Sequence, residues 1–200
     1  MSYENELTSK ENNPEKLDIG LLKFFWQTNP FLKSAKNTIP SFLKKLEVFK
    51  NFTDLEIWEL SKRLHTRNFE KGEIIFREAD LGVGFYFIVK GAVDIVVQDS
   101  SEGSSRVIVS LESNDYFGEL AMLQDRHLRN AAAIAKEPCQ LVGIFKPDLD
   151  SMIHEKPVVA SKLLQSVSLI VANRLYSVTQ EVRRLKNRLT VLESKDEASN

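Results

Sequence analysis

The chain has 200 residues, 42% of them hydrophobic and 28% charged, with 8 Gly and 6 Pro, which are values of an ordinary folded protein rather than a disordered or collagen-like one. Its 27 basic and 28 acidic side chains leave a formal net charge of -1, which argues against a globally basic nucleic-acid binder while leaving room for a local patch. A lone cysteine, Cys139, makes no intramolecular disulfide and builds no zinc site by itself, so a reducing compartment is the natural reading. No run of 18 apolar residues occurs, and no membrane-spanning helix is expected. The polar start, MSYENELTSKENNPEK, lacks the apolar core of a signal peptide. A soluble, cytoplasmic and mostly single-domain protein is the expectation.

Residues 1–20 hold five acidic and two basic side chains and few apolar ones. They have little to bury against the entropy of ordering, and a loosely attached tail is expected. Residues 21–36 crowd Leu21, Leu22, Phe24, Phe25, Trp26, Phe31 and Leu32 together. This stretch is expected to pack on the fold or on a second protomer, with docking to a partner or a membrane surface as the alternative. Pro40 suits the first turn of a helix, and Phe42, Leu43, Leu46 and Phe49 follow at helical spacing over 41–50. TDLEIWELSKRL at 53–64 opens with Thr53 and Glu56, a capping-box pattern, and carries Leu55, Trp58, Leu60 and Leu64.

From residue 65 the period changes. Short apolar runs at 74–76, 85–89, 93–97 and 107–111 are separated by Gly72, Gly82, Gly84, Gly91 and Gly103. Such spacing predicts antiparallel strands in a barrel or sandwich, with SSEGSS at 100–105 as a hairpin loop. A further strand pair is expected at 131–135 and 140–145. Pro147 then starts a short helix, and Pro157 starts a long one running to about Leu192. The order is helices over 21–64, a β-roll over 65–146, a short helix and a long helix over 147–193, and a tail over 194–200.

The long helix carries Val171, Leu175, Val178, Val182, Leu185, Leu189 and Leu192, spaced 4, 3, 4, 3, 4, 3. That is the apolar seam of a two-stranded coiled coil. The seam extends past Leu185, beyond the cover of one small roll, so a homodimer through 171–192 is favoured over packing on the chain's own roll. Arg183, Arg184, Lys186 and Arg188 make this helix basic late in its course. They are read as solvated flanks of the coiled coil, with nucleic-acid contact as the alternative.

Residues 116–135, YFGELAMLQDRHLRNAAAIA, hold the clearest candidate for chemistry. Phe117 closes a strand, Gly118 permits a tight turn, and Glu119 to Leu123 form a short helical run. Backbone N–H groups at such a start attract an anion. Arg129, at the mouth of an apolar strand, is placed to form a bidentate pair with phosphate. On the residues alone, an ordinary turn with a surface Glu–Arg pair fits this stretch better.

FGELAML and RNAAAIA resemble the phosphate-binding cassette of cyclic nucleotide-binding domains, as in bacterial catabolite activator proteins and protein kinase regulatory subunits. The resemblance covers about residues 42–192. It includes Gly72, Phe76, Asp80, Gly82, Phe85, Tyr86 and Gly91 in FEKGEIIFREADLGVGFYFIVKGAVDI, and VANRLYSVTQEV in the long helix. It implies an α+β fold, an antiparallel β-roll of the double-stranded β-helix or jelly-roll type, flanked by N-terminal helices and a C-terminal dimerisation helix. The ligand-binding residues it implies are Phe117, Gly118, Glu119, Leu120, Ala121, Arg129, Asn130, Ala131 and Thr179. Amides of Gly118 to Ala121 would hold the cyclic phosphate, Arg129 would neutralise it, and Glu119 would accept from the ribose 2′-OH. Alanines 131–133 would leave room beside the ligand, and Thr179 would contact the base of the partner subunit's ligand.

Departures bear on ligand choice. Asn130 stands where the family usually has Ser, Thr or Ala, and it both donates and accepts. Cyclic AMP is favoured over cyclic GMP because the Thr associated with guanine preference is absent. Ala79 and Val83 replace the usual Gly and acidic residue of the first roll turn, with an expected effect on loop stability more than on binding. Arg126 is a rival phosphate ligand, better read as a solvated loop residue.

Other chemistry finds less support in the sequence. His65, His127, His154 and Cys139 show no metal-ligand spacing, and the clustered histidines of cupins are missing. Asp115 and Glu119 read as a turn residue and a ribose ligand rather than a catalytic pair. No nucleophile–base arrangement is legible, so neither an enzyme nor a metal site is expected. After Leu192 only ESKDEASN remains, so a winged-helix DNA reader is not expected to follow. The expected protein is a dimeric cyclic-nucleotide receptor of bacterial type that signals through its long helix to a partner or through its own dimer. A scaffold that kept the roll and lost the ligand is the first alternative, and a nucleic-acid-binding regulator is the second.

Overall fold

A computed structural model describes residues 38–98, 105–124, 126 and 128–197. The tail over 1–20, the aromatic stretch at 21–36, most of the SSEGSS loop and His127 lie outside the described residues.

Helix α1 spans Thr38–Leu43, with Pro40 in its first turn. The single helix expected over 41–50 is broken: Leu46 is extended, and Glu47–Phe49 form a separate 3-10 turn. The break lets Leu43, Leu46 and Phe49 all enter the core, where each is buried. Helix α2 covers Asp54–Ser61 and begins with the expected capping box. The Glu56 N–H donates to the Thr53 hydroxyl at 3.3 Å, and the Thr53 N–H donates to the Glu56 carboxylate at 2.8 Å. Its buried face is Ile57 and Leu60, continued by Leu64, whereas Leu55 and Trp58 are 67% and 50% exposed.

Eight strands follow. They are β1 (His65–Phe69), β2 (Ile74–Phe76), β3 (Gly84–Lys90), β4 (Val93–Gln98), β5 (Ser105–Leu111), β6 (Tyr116–Phe117), β7 (Ala132–Ala135) and β8 (Cys139–Phe145). They form two antiparallel four-stranded sheets, ordered β1-β8-β3-β6 and β2-β7-β4-β5. Strand β3 explains why its sequence is a continuous apolar run rather than an alternating one. Successive side chains point to opposite faces. Tyr86 and Ile88 pack between the sheets with Phe69, Val93, Phe117, Ala133 and Leu141. Phe85 and Phe87 face the other way, into the helical layer with Phe49, Ile57, Leu60, Val142 and Ile144. The first sheet is thus covered on both faces, and the fold is the α+β antiparallel roll expected from the sequence.

Helix α3 is the short run Leu120–Leu123. Helix α4, Lys146–Glu155, is tied to β1 and β8 by Asp148: the Phe145 N–H donates to its carboxylate at 3.3 Å, and His65 Nε2 lies 3.0 Å away. Helix α5 spans Pro157–Glu197, five residues beyond the expected end at Leu192. Val159, Ala160, Leu163, Val167 and Ile170 of its first half are buried in the helical layer. From Ala172 to Thr190 every residue is exposed. Within Pro157–Thr190 an 18-residue window has mean hydropathy 1.2, long and apolar enough to cross a membrane by length and composition. Polar residues interrupt that window, so a search for an unbroken apolar run passes over it. Here its buried side chains pack on the roll and helices.

Cys139 is the first residue of β8, buried between the sheets, and burial pushes its thiol up to about 11 from 9.0. The folded state therefore favours the neutral thiol. The stability linked to this group is complete below pH 9 and declines as pH rises toward 11. We expect an aromatic disulfide reagent at pH 8 to leave Cys139 unlabelled in the folded protein and to label it fully in urea. Rapid labelling without urea would contradict this placement.

Candidate functional site

The site is built where β6 ends, α3 begins and the loop before β7 returns. Gly118 follows Phe117 with φ +81°, a left-handed conformation that side chains resist. Space makes the same demand: a Cβ there would lie 2.7 Å from Arg129 Nη1 and 2.9 Å from the Gly84 carbonyl. The guanidinium of Arg129 occupies that space. Nη2 donates to the Gly84 carbonyl at 2.7 Å and Nη1 to the Gly118 carbonyl at 3.2 Å.

Arg129 is only 6% exposed. Among the described residues no carboxylate comes within salt-bridge range of it, and its buried Nε has no hydrogen-bond partner. Its anionic neighbours are engaged elsewhere. Glu119 is bound by Arg174, and the Asp80 carboxylate accepts from the Arg77 N–H at 2.7 Å. Burial lowers the Arg129 guanidinium below its ordinary value, opposed chiefly by Tyr86, then by Glu119 and Asp80. An arginine stays charged under such conditions. The result is a buried cation with an unpartnered donor, which is a costly arrangement for a charge without a counter-ion.

Glu119 is 5% exposed and accepts from Arg174 Nη1 at 2.7 Å. Arg174 also donates from Nη2 to the Tyr116 carbonyl at 2.9 Å, and its guanidinium lies 5.6 Å from the Tyr116 ring. Burial raises the Tyr116 hydroxyl above its usual range, partly offset by Arg174. Arg174 sits on α5, so an ion pair joins the cassette to the long helix, beside the apolar cluster that Ala121 and Met122 share with Val167 and Ile170. The sequence reading missed it. Its only signal was an arginine inside VANRLYSVTQEV, and nothing local joins it to a carboxylate 55 positions earlier.

The other expected ligand residues are placed as follows. Phe117 turns its side chain into the core, stacked on Tyr86 at 5.4 Å and 21°, so it meets the site through its backbone. Leu120 is half-buried and Ala121 is buried. The Ala121 N–H donates to the Gly118 carbonyl at 3.3 Å, and the Met122 N–H to the Glu119 carbonyl at 2.9 Å. Asn130 is exposed and Ala131 half-buried, just before β7, which begins at Ala132 rather than Ala131. Thr179 lies on the exposed half of α5, where its hydroxyl donates to the Leu175 carbonyl at 2.8 Å. Within one chain it is not gathered with the cassette residues. Arg126 is exposed, and Asp115 is a turn residue whose carboxylate accepts from the Glu112 N–H at 2.8 Å. Among the described residues no three His, Cys, Asp or Glu side chains cluster to hold a metal.

The turn before β3 is fastened to this site. The Ala79 N–H donates to the Arg129 carbonyl and the Arg129 N–H to the Asp80 carbonyl, each at 2.8 Å. Ala79 holds φ +63°, so an alanine occupies a backbone state that suits glycine.

Comparison with known proteins gives the same direction. Residues 66–156 match the family model of the cyclic nucleotide-binding domain. The chain is 40% identical over 88 residues to a cAMP-dependent protein kinase regulatory subunit of Dictyostelium discoideum, covering 42% of this chain and 27% of that one. It is 29% identical over 97 residues to human cGMP-dependent protein kinase 2, covering 48% and 13%. The catabolite activator protein of Thermus thermophilus superposes with a TM-score of 0.60 at 27% identity, covering 70% of this chain and 62% of that one. The aligned part is thus under a third of the first relative's length and under a seventh of the second's.

The strain at Ala79 makes a prediction. Left-handed backbone costs an alanine about 1–2 kcal/mol, and glycine's greater freedom in the unfolded chain takes back about 0.4–1 kcal/mol. Ala79→Gly should raise stability in urea by about 0.5–1 kcal/mol. A loss of stability would mean that the turn is not held in this conformation.

Proposed function

We propose that the cyclic nucleotide-binding domain of residues 66–156 makes this chain a receptor for a cyclic nucleotide, with cyclic AMP preferred, and that it signals through α5. The observation that carries this reading is Arg129, a buried guanidinium with an unpartnered Nε and no carboxylate in salt-bridge range among the described residues. A cyclic phosphodiester carries one negative charge, and one buried positive charge awaits it. Glu119 is already offset by Arg174, so among the described residues the interior of the site has no second free cation to match the dianion of a nucleoside monophosphate. In this reading Gly118 to Ala121 and Arg129 take the phosphate, and Glu119 takes the ribose 2′-OH. Asn130 and Ala131 border the ligand at the start of β7. The absence of the Thr associated with guanine favours cyclic AMP.

Signalling follows from Arg174. A ribose hydroxyl reaching Glu119 shares or displaces the partner that holds α5 to the cassette. The ligand shifts that equilibrium only by its different affinity for the two arrangements. The Arg174 side chain is 46% exposed and that of Glu119 only 6%, so Arg174 can swing to water while the buried carboxylate needs another donor, which a ribose hydroxyl would supply.

The output surface in this reading is the exposed half of α5. Leu175, Val178, Val182, Leu185, Leu189 and Leu192 are each more than half exposed, an apolar seam that a second copy of the helix would bury. Dimerisation would also bring Thr179 toward the partner subunit's ligand. Arg184 is engaged by Glu181 at 2.5 and 2.8 Å on the same helix, which favours solvated flanks over nucleic-acid contact for the basic residues. A partner protein reading the dimer remains part of the proposal.

Calorimetric titration of the full chain should give saturable heat with cyclic AMP, weaker binding of cyclic GMP and none of 5′-AMP at matched concentration. Arg129→Ala should weaken binding about 100-fold or more, the size expected when one side of a buried charge pair is removed. No heat and no thermal shift with either cyclic nucleotide at millimolar concentration would sink the receptor reading and favour a scaffold.

Light scattering at high micromolar concentration should give twice the 22.8 kDa chain mass. The pair Leu185→Asp and Leu189→Asp should return the monomer mass. A monomeric parent would refute the seam as a dimer contact.

A further inference from the structure

Most buried arginines face a carboxylate, but Arg129 faces rings. Its guanidinium carbon lies 4.1 Å from the centroid of Phe76 and 5.8 Å from that of Tyr86. Phe76 ends β2, where it pairs in register with Ala133. It is braced from behind by Phe117 at 5.8 Å and Tyr86 at 6.0 Å. Tyr86 in turn stacks on Phe117 and meets Phe145 edge-on at 6.2 Å. Small residues keep this stack close: a Cβ on Gly84 would lie 2.8 Å from the Tyr86 hydroxyl oxygen.

An aromatic face attracts a cation through its quadrupole, most strongly where water is excluded. It differs from a carboxylate in one decisive respect. It holds the guanidinium in position without cancelling its net charge. A carboxylate partner would have to be shared or displaced when phosphate arrives, whereas a ring keeps its contact while the charge acts on the ligand.

We infer that Phe76 is the positioning residue for Arg129, holding the guanidinium charged and oriented in the ligand-free protein so that an incoming phosphate is its first full counter-charge. This rests on the receptor reading above. Phe76 acts through Arg129 and need not touch the ligand itself.

The test uses the full chain. Replacing Phe76 by phenylalanines with one, two and three ring fluorines keeps nearly the same shape while weakening the ring's negative face. Affinity for cyclic AMP should fall stepwise with fluorine number, by about 3- to 30-fold over the series. Phe76→Leu should reach the bottom of that range, and Phe76→Trp should stay within about threefold of the parent. A flat fluorine series, or parental affinity in Phe76→Leu, would overturn the inference. Urea melts without ligand give a second readout. The cost of Phe76→Leu should shrink in an Arg129→Met background, because an uncharged chain gains nothing from the ring, and equal costs in both backgrounds would also overturn it. A parent that binds no cyclic nucleotide but shows this coupling would refute the receptor function while leaving the Phe76–Arg129 contact established.

Discussion

A charged guanidinium buried with no carboxylate in salt-bridge range among the described residues is the constraint to which the rest of this roll is fitted. Arg129 needs acceptors, and the carbonyls of Gly84 and Gly118 supply them at 2.7 and 3.2 Å. A Cβ on Gly118 would press on both Arg129 and the Gly84 carbonyl, and a Cβ on Gly84 would press on the Tyr86 ring. Arg129 also needs a non-neutralising surface beneath it, and Phe76 and Tyr86 supply one from two strands, with Phe117 of a third packed against both rings. The first roll turn is then pinned to its backbone through Ala79 and Asp80. Cassette, aromatic stack and turn are therefore one cooperative unit, and changes within it should couple rather than add.

The long helix divides into two physical regimes. Its first half lies in the helical layer, where Ala160, Leu163 and Val167 are almost wholly buried and large-to-small changes would leave cavities. The second half, from Ala172, offers an apolar seam that nothing among the described residues covers. The first half anchors the helix, and the second is free to be read from outside.

Much of the fold was legible because its causes are local. The Thr53–Glu56 capping box, Pro40 and Pro157 at helix starts, and the glycine-punctuated apolar runs all act within a few residues of where they stand. Strand β1, HTRNF, is harder to see: only Thr66 and Phe69 of it are buried, and its partners on β8 lie 70 to 78 positions away. Leu55 and Trp58 shared an apolar list with Leu60, yet the helix turns them outward, because burial follows the face a helix presents and not hydrophobicity alone. At the site, Gly118, Glu119 and Arg129 were visible through a motif, and the motif also drew attention to Phe76 and Tyr86 without indicating their relation to Arg129. Arg174 could not be found this way. Its role exists only once α5 lies across the cassette, and a contact between residues 119 and 174 leaves no trace in local spacing.

The position of Arg174 on α5 joins the two halves of that helix into one device. It lies three residues after Val171 and one before Leu175, the first two positions of the seam. The last buried side chain, Ile170, is only four residues earlier, about one turn. Anchor, ion pair and start of the seam thus occupy less than two turns of one helix. A rotation or tilt that releases Arg174 from Glu119 therefore moves Val171 and Leu175 with it. In a dimer held through the seam, ligand occupancy at the ribose position and the geometry of helix pairing are then one conformational variable, read at two places. In the proposed receptor that coupling would need no chain of intermediaries through the roll, because Arg174 and the first seam residues share the same backbone turns.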